Sequence, residues 1–265
     1  MCSSDLLTAK YRHIAPAAVR RVALREWERT KSPKEALKQT KTALHQITGA
    51  YLAQRPKYSQ ILQTLTEARA SGSEAQWREA CLQQLALHAS TAERLPFLEE
   101  FYSAIFAHVT PPKRIIDLGC GLNPLTLPFM HLPLEAEYFA YDMDSEMMGF
   151  LNDYLRLAGV RGEGKVCDIL TQADLELLSV QPSDLVLLFK VLPLLDQWDK
   201  SAVPALLRAL PAKQIVITYP TRSLGGKGKG MEQHYTTRFE GIVEGESWNI
   251  TTLYFPNEIA FIIAK

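Results

Sequence analysis

Cysteine is scarce in this chain. Four residues (Cys2, Cys81, Cys120 and Cys167) are scattered over 265 positions, and none forms a C-x-x-C pair. That argues against a zinc site or a disulfide framework and points to reduced thiols in a cytoplasmic protein with no metal. Long apolar runs are missing too: none reaches the roughly 20 residues of a bilayer span. The N-terminus has no signal-peptide core, so no membrane partner is expected. Internal repeats and low-complexity segments are also absent. Net charge is zero, with 29 basic and 29 acidic residues.

The zero hides an uneven distribution. Residues 1–58 hold twelve Lys or Arg against four Asp or Glu, a surplus of eight that the remaining residues cancel. Arg20, Arg21, Arg25, Arg29, Lys31, Lys34, Lys38 and Lys41 fall within about six helical turns. A basic segment this dense suits a polyanionic partner, in particular nucleic acid. Arg20, Arg21, Lys34 and Lys38 are its candidate contacts.

Residues 1–110 read as helical throughout. The stretch 17–30 follows Pro16 and carries Val19, Val22, Ala23 and Trp27 at helical spacing. Ser32-Pro33-Lys34-Glu35 has the form of a capping box, and the helix it opens is expected to bury Leu37, Ala43 with Leu44, and Ile47. Further helices are expected over 57–70 and 74–87, separated by Ser71-Gly72-Ser73. A second capping box, Ser90-Thr91-Ala92-Glu93, is expected to open a helix to about residue 108, and Pro111-Pro112 closes the helical part.

Beyond residue 110 the pattern changes. Apolar strands at 113–118, 138–142, 164–168, 184–190 and 214–219 alternate with helical stretches at 125–131, 144–157, 173–178 and 201–209. Two strands, 249–255 and 259–264, close the chain around Pro256-Asn257 as a hairpin. This alternation predicts an α/β, Rossmann-like doubly wound sheet over residues 111–265, with an all-helical domain over 1–110 before it.

The most telling stretch is Asp117-Leu118-Gly119-Cys120-Gly121-Leu122-Asn123-Pro124, directly after the first strand. Its two glycines let the backbone turn sharply and approach a ligand. Asp117 stands before them, Asp142 ends the second strand, and Asp168 ends the third. A dinucleotide site normally places its acid only on the second strand, facing the ribose, and has a third glycine to seat a pyrophosphate. Here Asn123-Pro124 occupies that place. Acids on successive strands suit S-adenosylmethionine, with a cationic amino-acid tail and a nucleoside head. Asp142 would meet the ribose hydroxyls, Asp168 the adenine amine, and Ile169 the ring. Together with the glycine turn they predict a class I methyltransferase core.

Several blocks resemble one family. They are Leu87-His88-Ala89-Ser90-Thr91-Ala92-Glu93-Arg94-Leu95, Gly121-Leu122-Asn123-Pro124, Phe189-Lys190-Val191-Leu192-Pro193-Leu194-Leu195, and the stretch from Pro220-Thr221-Arg222-Ser223-Leu224-Gly225-Gly226 to Glu232. The chain is similar, from Lys31 onwards, to the aminoglycoside-resistance 16S rRNA methyltransferases that modify guanine N7 in the decoding site. The likeness implies that His88, Ala89, Ser90 and Arg94 help hold the cofactor, with Tyr51, Leu188 and Gln197 as weaker members. Arg94 also has the fork shape that suits the methionine carboxylate. It further implies a substrate inside the 30S subunit and resistance to 4,6-disubstituted deoxystreptamines. Some relatives carry alanine at the position of Gly119, a change expected to leave the turn intact.

Guanine N7 has an in-plane lone pair and no proton, so no catalytic acid or base is expected; alignment carries the reaction. The block after the fourth strand is Phe189-Lys190-Val191-Leu192, not the Asn-Pro-Pro-aromatic block of amino-directed methyltransferases. Within paired A-form RNA N7 faces a deep, narrow groove, so the base is expected to be extruded. Arg222, Lys227, Lys229, Met231 and Glu232 are expected to meet the substrate in a glycine-rich loop after the fifth strand, with Arg238 bracing it. The protein is expected to act as a monomer. Two other readings remain: a small-molecule methyltransferase whose helices form a lid, and a non-catalytic RNA-binding protein.

Overall fold

The computed structural model describes residues 11–49, 55–222 and 230–265. Tyr51, Lys227 and Lys229 lie outside the described residues.

Helices α1 (Pro16–Thr30) and α2 (Pro33–Leu44) pack on each other. Proline opens each at its first turn, where no N–H is needed. Lys31 ends α1 in the left-handed region, at φ 52°, and its N–H bonds Trp27 O at 2.9 Å. The capping box expected at Ser32 does not form. Ser32 makes no side-chain cap, and Glu35 instead accepts a 2.6 Å bond from Gln39. Buried residues on α2 are Ala36, Thr40, Ala43 and Leu44, with Leu37 at the edge; Trp27 is exposed.

Helices α3 (Tyr58–Ala70) and α4 (Glu74–Leu85) follow, with Ser73 capping α4 through the Gln76 N–H. The helix expected from 90 to 108 is broken. A short α5 (Ala89–Ala92) starts at His88, so Ser90 lies inside it, and α6 (Leu98–Phe106) starts afresh after a 3₁₀ turn at Leu95–Phe97. Pro96 explains the break: it has no N–H, and its ring would strike the carbonyl of residue 92.

The strands are β1 (Arg114–Leu118), β2 (Glu137–Asp142), β3 (Arg161–Val166), β4 (Ser183–Phe189), β5 (Ala212–Pro220), β6 (Asn249–Phe255) and β7 (Glu258–Ala264). They form one sheet in the order β3-β2-β1-β4-β5-β7-β6. The first five are parallel; β7 runs antiparallel to β5, and β6 to β7, as the terminal hairpin requires. Connecting helices are α7 (Leu127–Met130), α8 (Ser145–Ala158), α9 (Gln172–Ser179), α10 (Leu192–Trp198), α11 (Ala202–Ala209) and α12 (Met231–Val243). Both α10 and α12 lie outside the helices expected from sequence. β3 stops two residues short of Asp168, whose N–H bonds the Asp174 carboxylate at 2.9 Å instead of a neighbouring strand.

One apolar cluster joins α3, α4 and α6 to α8 and one face of the sheet, including Ile61, Leu65, Trp77, Phe101, Ile115, Tyr154 and Leu187. A second, around Ile116, Val186, Leu207, Ile217 and Phe261, fills the other face. The α1–α2 pair has its own small cluster around Ile14, Val19, Val22 and Leu44. It is tied to the sheet's carboxyl end: the Ala15 N–H donates to Met143 O at 2.8 Å, and the Ser145 N–H to His13 O at 2.7 Å. Among the described residues no helix is long and apolar enough to cross a membrane.

Leu65 is fully buried in the cluster that also holds Ile115 of β1. Leu65→Ala is expected to cost about 2–5 kcal/mol. Urea unfolding followed by tryptophan fluorescence and by circular dichroism should give one coincident transition at a lower midpoint. A separate early transition would mean that α3 and α4 unfold apart from the sheet.

Candidate cofactor and substrate site

The site begins at the β1 turn. Gly119 and Gly121 have φ of 66° and 50°, the left-handed region that glycine enters freely. The Gly119 and Cys120 N–H groups donate to Tyr141 O at 2.8 and 3.1 Å, pinning the turn against the end of β2. Space excludes larger residues as well. A Cβ on Gly121 would come within 3.1 Å of the His88 ring, and one on Gly119 within 2.7 Å of Val191 Cγ2. Alanine at 119 therefore requires the Val191 side chain to move, a demand that lies outside the turn itself.

Asp142 stands at the tip of β2 and accepts from the Gly121 N–H at 3.1 Å and the Asp144 N–H at 3.3 Å. Burial pushes its carboxyl up to about 6. Asp144 caps α8, taking the Glu146 and Met147 N–H groups at 3.0 Å each. Beyond β3, Asp168 is buried and both its oxygens are held by Arg21: Nε at 2.8 Å and Nη2 at 3.0 Å. Arg21 also lies 5.2 Å from the Trp198 ring, and Arg25 lies 4.3 Å from it. One basic residue expected on the RNA side thus faces an acid expected on the cofactor side.

On the opposite wall sits a charged quartet, with Arg94, Lys190 and Glu258 buried and Glu93 half-buried. Arg94 bonds Glu258 twice, Nη2 at 2.5 Å and Nε at 3.2 Å, and its Nη1 reaches Asn123 Oδ1 at 3.3 Å. Its guanidinium lies 4.2 Å from the Phe101 ring and 4.8 Å from that of Phe189. Lys190 sends Nζ to Glu93 at 2.7 Å, to Ser90 O at 3.3 Å and to Glu258 at 3.4 Å. Lys190 adopts φ 57°, and its N–H donates to Thr218, so the chain bends as it leaves β4 and the ammonium reaches under α5. Burial alone would raise the Glu258 carboxyl, yet the Arg94 and Lys190 cations hold it below its ordinary value. Burial, then Lys190 and Arg94, push His88 down to about 4, so its ring is neutral at pH 7.

Asp117 lies behind this wall. It is buried, and its Oδ2 accepts from Tyr138 OH at 2.5 Å and Asn123 Nδ2 at 3.0 Å. Burial raises it to about 6.

The crevice is lined by His88, Ser90, Arg94, Gly119, Gly121, Asp142, Asp168 and Ile169 from the sequence-derived set, and by Arg21 from the basic run. Leu188 is fully buried in the sheet core, Gln197 is exposed and offers its carbonyl to Arg25, and Ala89 and Asp117 do not line the cavity. Arg20, Lys34, Lys38, Arg222 and Glu232 are exposed, with Met231 half-buried. Arg238 ties α12 to α10 through Asp196, at 2.6 and 3.0 Å. Sequence reasoning missed Lys190, Glu258, Asn123 and Trp198 as site residues. The first three were readable only as a lysine after a strand, a glutamate after a turn and an asparagine before proline.

A crevice with two positive-φ glycines at its floor, a carboxylate at one strand tip and another just past the next can hold a nucleoside with an amino-acid tail. The comparisons agree. The model of the family described as ribosomal RNA methyltransferase (FmrO) matches residues 7–262. A 16S rRNA (guanine(1405)-N(7))-methyltransferase of Frankia casuarinae is 38% identical, covering 97% of this chain and 89% of the relative. One of the same name from Serratia marcescens is 36% identical, over 99% and 96%. The crystal structure of the 16S rRNA methyltransferase RmtF in complex with S-adenosyl-L-homocysteine superposes with a TM-score of 0.82 at 31% identity, covering 99% of this chain and 96% of that one.

Removing one member of the quartet leaves cations uncompensated. Glu258→Gln is expected to lower stability by about 3–5 kcal/mol in chemical denaturation. A loss under about 1 kcal/mol, the size of an exposed pair, would show that water reaches the pair.

Proposed function

The chain belongs to the ribosomal RNA methyltransferase (FmrO) family, and from that premise we propose that it methylates N7 of a decoding-site guanine in 16S rRNA, with S-adenosylmethionine as donor. The observation that carries this reading is the Asp142 carboxylate standing over the Gly119–Gly121 turn, in a chain alike to such enzymes over almost its whole length. When bound, the cofactor supplies an electrophilic methyl on sulfonium, which the proton-free N7 lone pair can accept without a base.

The residues present fit that cofactor. Asp142, ionised above pH 6, accepts ribose hydroxyls. Asp168 takes the adenine amine while Ile169 covers the ring. His88, Ser90 and Arg94 line the crevice on the methionine side. Arg94 already spends three of its N–H groups on Glu258 and Asn123, so it serves the carboxylate with those that remain. The apolar lining of Met147, Phe189, Val191 and Leu195 keeps water from the reacting centre.

The substrate side is the basic segment. Arg20, Lys34 and Lys38 project from α1 and α2, which the Met143 and Ser145 bonds hold at the cofactor end of the sheet. We read residues 1–110 as the ribosome-docking part and 111–265 as the methyl-transferring part, a division of task within a continuous core. The docking part meets phosphates and surface shape on the assembled 30S subunit. The enzyme works as a monomer, and the product's bulk and positive charge at the methylated guanine repel polycationic aminoglycosides.

Reverse-transcription mapping of 16S rRNA after borohydride reduction and aniline cleavage, which cut the strand at N7-methylguanine, should show one new stop once 30S subunits have been incubated with enzyme and cofactor. Its absence, with methyl transfer to a small molecule instead, would favour the lid reading.

The sign of the pH effect follows from Asp142. Its proton must leave before the carboxylate can accept the ribose hydroxyls, so affinity for S-adenosylhomocysteine should be full above about pH 7. It should fall as pH drops through 6, by up to about tenfold per unit. Calorimetry on Asp142→Asn should give a weak and flat profile.

A further inference from the structure

Arg21 belongs to the basic run of α1, where every neighbour in sequence suggests a phosphate contact. The structure turns it the other way. Its side chain is 22% exposed and its Asp168 partner 1% exposed. The guanidinium fork closes on both carboxylate oxygens, and the Trp198 ring lies 5.2 Å from its carbon. Arg20, beside it, points to solvent.

We propose that Arg21 is a positioning residue of the cofactor pocket: it orients the Asp168 carboxylate so that a single acceptor site is left for the exocyclic amine of adenine. The inference rests on the reading of Asp168 as the acid that meets adenine. A carboxylate has about four lone-pair sites. Arg21 Nε fills one on Oδ2, Arg21 Nη2 fills one on Oδ1, and the Leu170 N–H at 3.2 Å fills the other on Oδ1. Among the described residues, one site on Oδ2 remains. A bidentate pair fixes the carboxylate plane as well as its charge, which a single lysine-type contact would not do. The fork comes from α1 and Trp198 from α10, so the plane is set by two elements outside the β3–α9 connection that carries Asp168.

The remaining site accepts a donor and repels an acceptor. The pocket should therefore prefer an adenine, with its amine, over a hypoxanthine, with a carbonyl at the same carbon. Arg21 sharpens that choice because it stops the carboxylate from rotating away from the wrong base. A residue that only stapled α1 to the fold would not affect the choice.

The test measures binding of S-adenosylhomocysteine and S-inosylhomocysteine by calorimetry to the full chain and three variants. In the wild type the adenosyl ligand should bind at least about tenfold more tightly, the size of one charge-assisted hydrogen bond. Arg21→Ala should weaken the adenosyl ligand about tenfold and the inosyl ligand less than about twofold, so that the preference collapses. Arg21→Lys, which keeps the charge and the packing of α1 but not the fork, should recover only part of it. Asp168→Ala should lose both affinity and preference. Thermal midpoints establish that each variant is folded; if Arg21→Ala does not fold, Arg21→Lys decides alone. Equal loss on both ligands in the Arg21 variants, or no loss, would overturn the inference. If Asp168→Ala leaves adenosyl binding unchanged, the adenine reading of that acid fails instead.

Discussion

The site depends on one buried ion pair. Arg94 and Glu258 are both withdrawn from water, and neither would be tolerated there alone. Each answers the other with two hydrogen bonds, and Lys190 with Glu93 balances the remainder. The result is a crevice wall with two cations in it and almost no net charge. Such a wall can be dry, because its charges are satisfied by protein groups. Its guanidinium also has two N–H groups beyond the three given to Glu258 and Asn123. His88 stays neutral for the same reason: it is buried beside two cations already in place.

A second constraint sets the other end of the crevice. The α1–α2 pair has only a small apolar cluster of its own and is fastened to the tips of the sheet by backbone bonds at Ala15 and Ser145 and by the Arg21–Asp168 pair. The basic surface is therefore mounted directly on the crevice. A solvent-facing cation and a residue of the crevice wall share one helix, with Arg20 on its outer side and Arg21 on its inner side.

Much of this was legible in the chain. The βα alternation, the glycine turn and the acid at the tip of β2 follow from local patterns, and the terminal hairpin from its turn. Asp168 was found by type but misplaced on its strand, because its backbone N–H turns aside to Asp174, a partner six residues on. The two capping boxes failed for different reasons: the Ser32 side chain caps no N–H of the first turn, and Ser90 lies after the true start at His88. Glu93, assigned to a cap, serves Lys190 instead. Arg21 was assigned by its basic neighbours, and sequence alone could not show which of two adjacent arginines faces inward. Lys190 and Glu258 become site residues only through pairing across the fold, and no spacing rule reports that.

The span of the Arg94–Glu258 contact has a consequence for assembly. Its partners stand 164 positions apart, and β7 reaches the sheet only by pairing with β5. Closing a contact of such long sequence separation costs chain entropy that this pair alone does not offset. The helices and the parallel strands can each be completed without the last ribbon, but the crevice wall cannot, because Glu258 opens that ribbon. Completeness of the crevice is thus tied to the seating of the last strand.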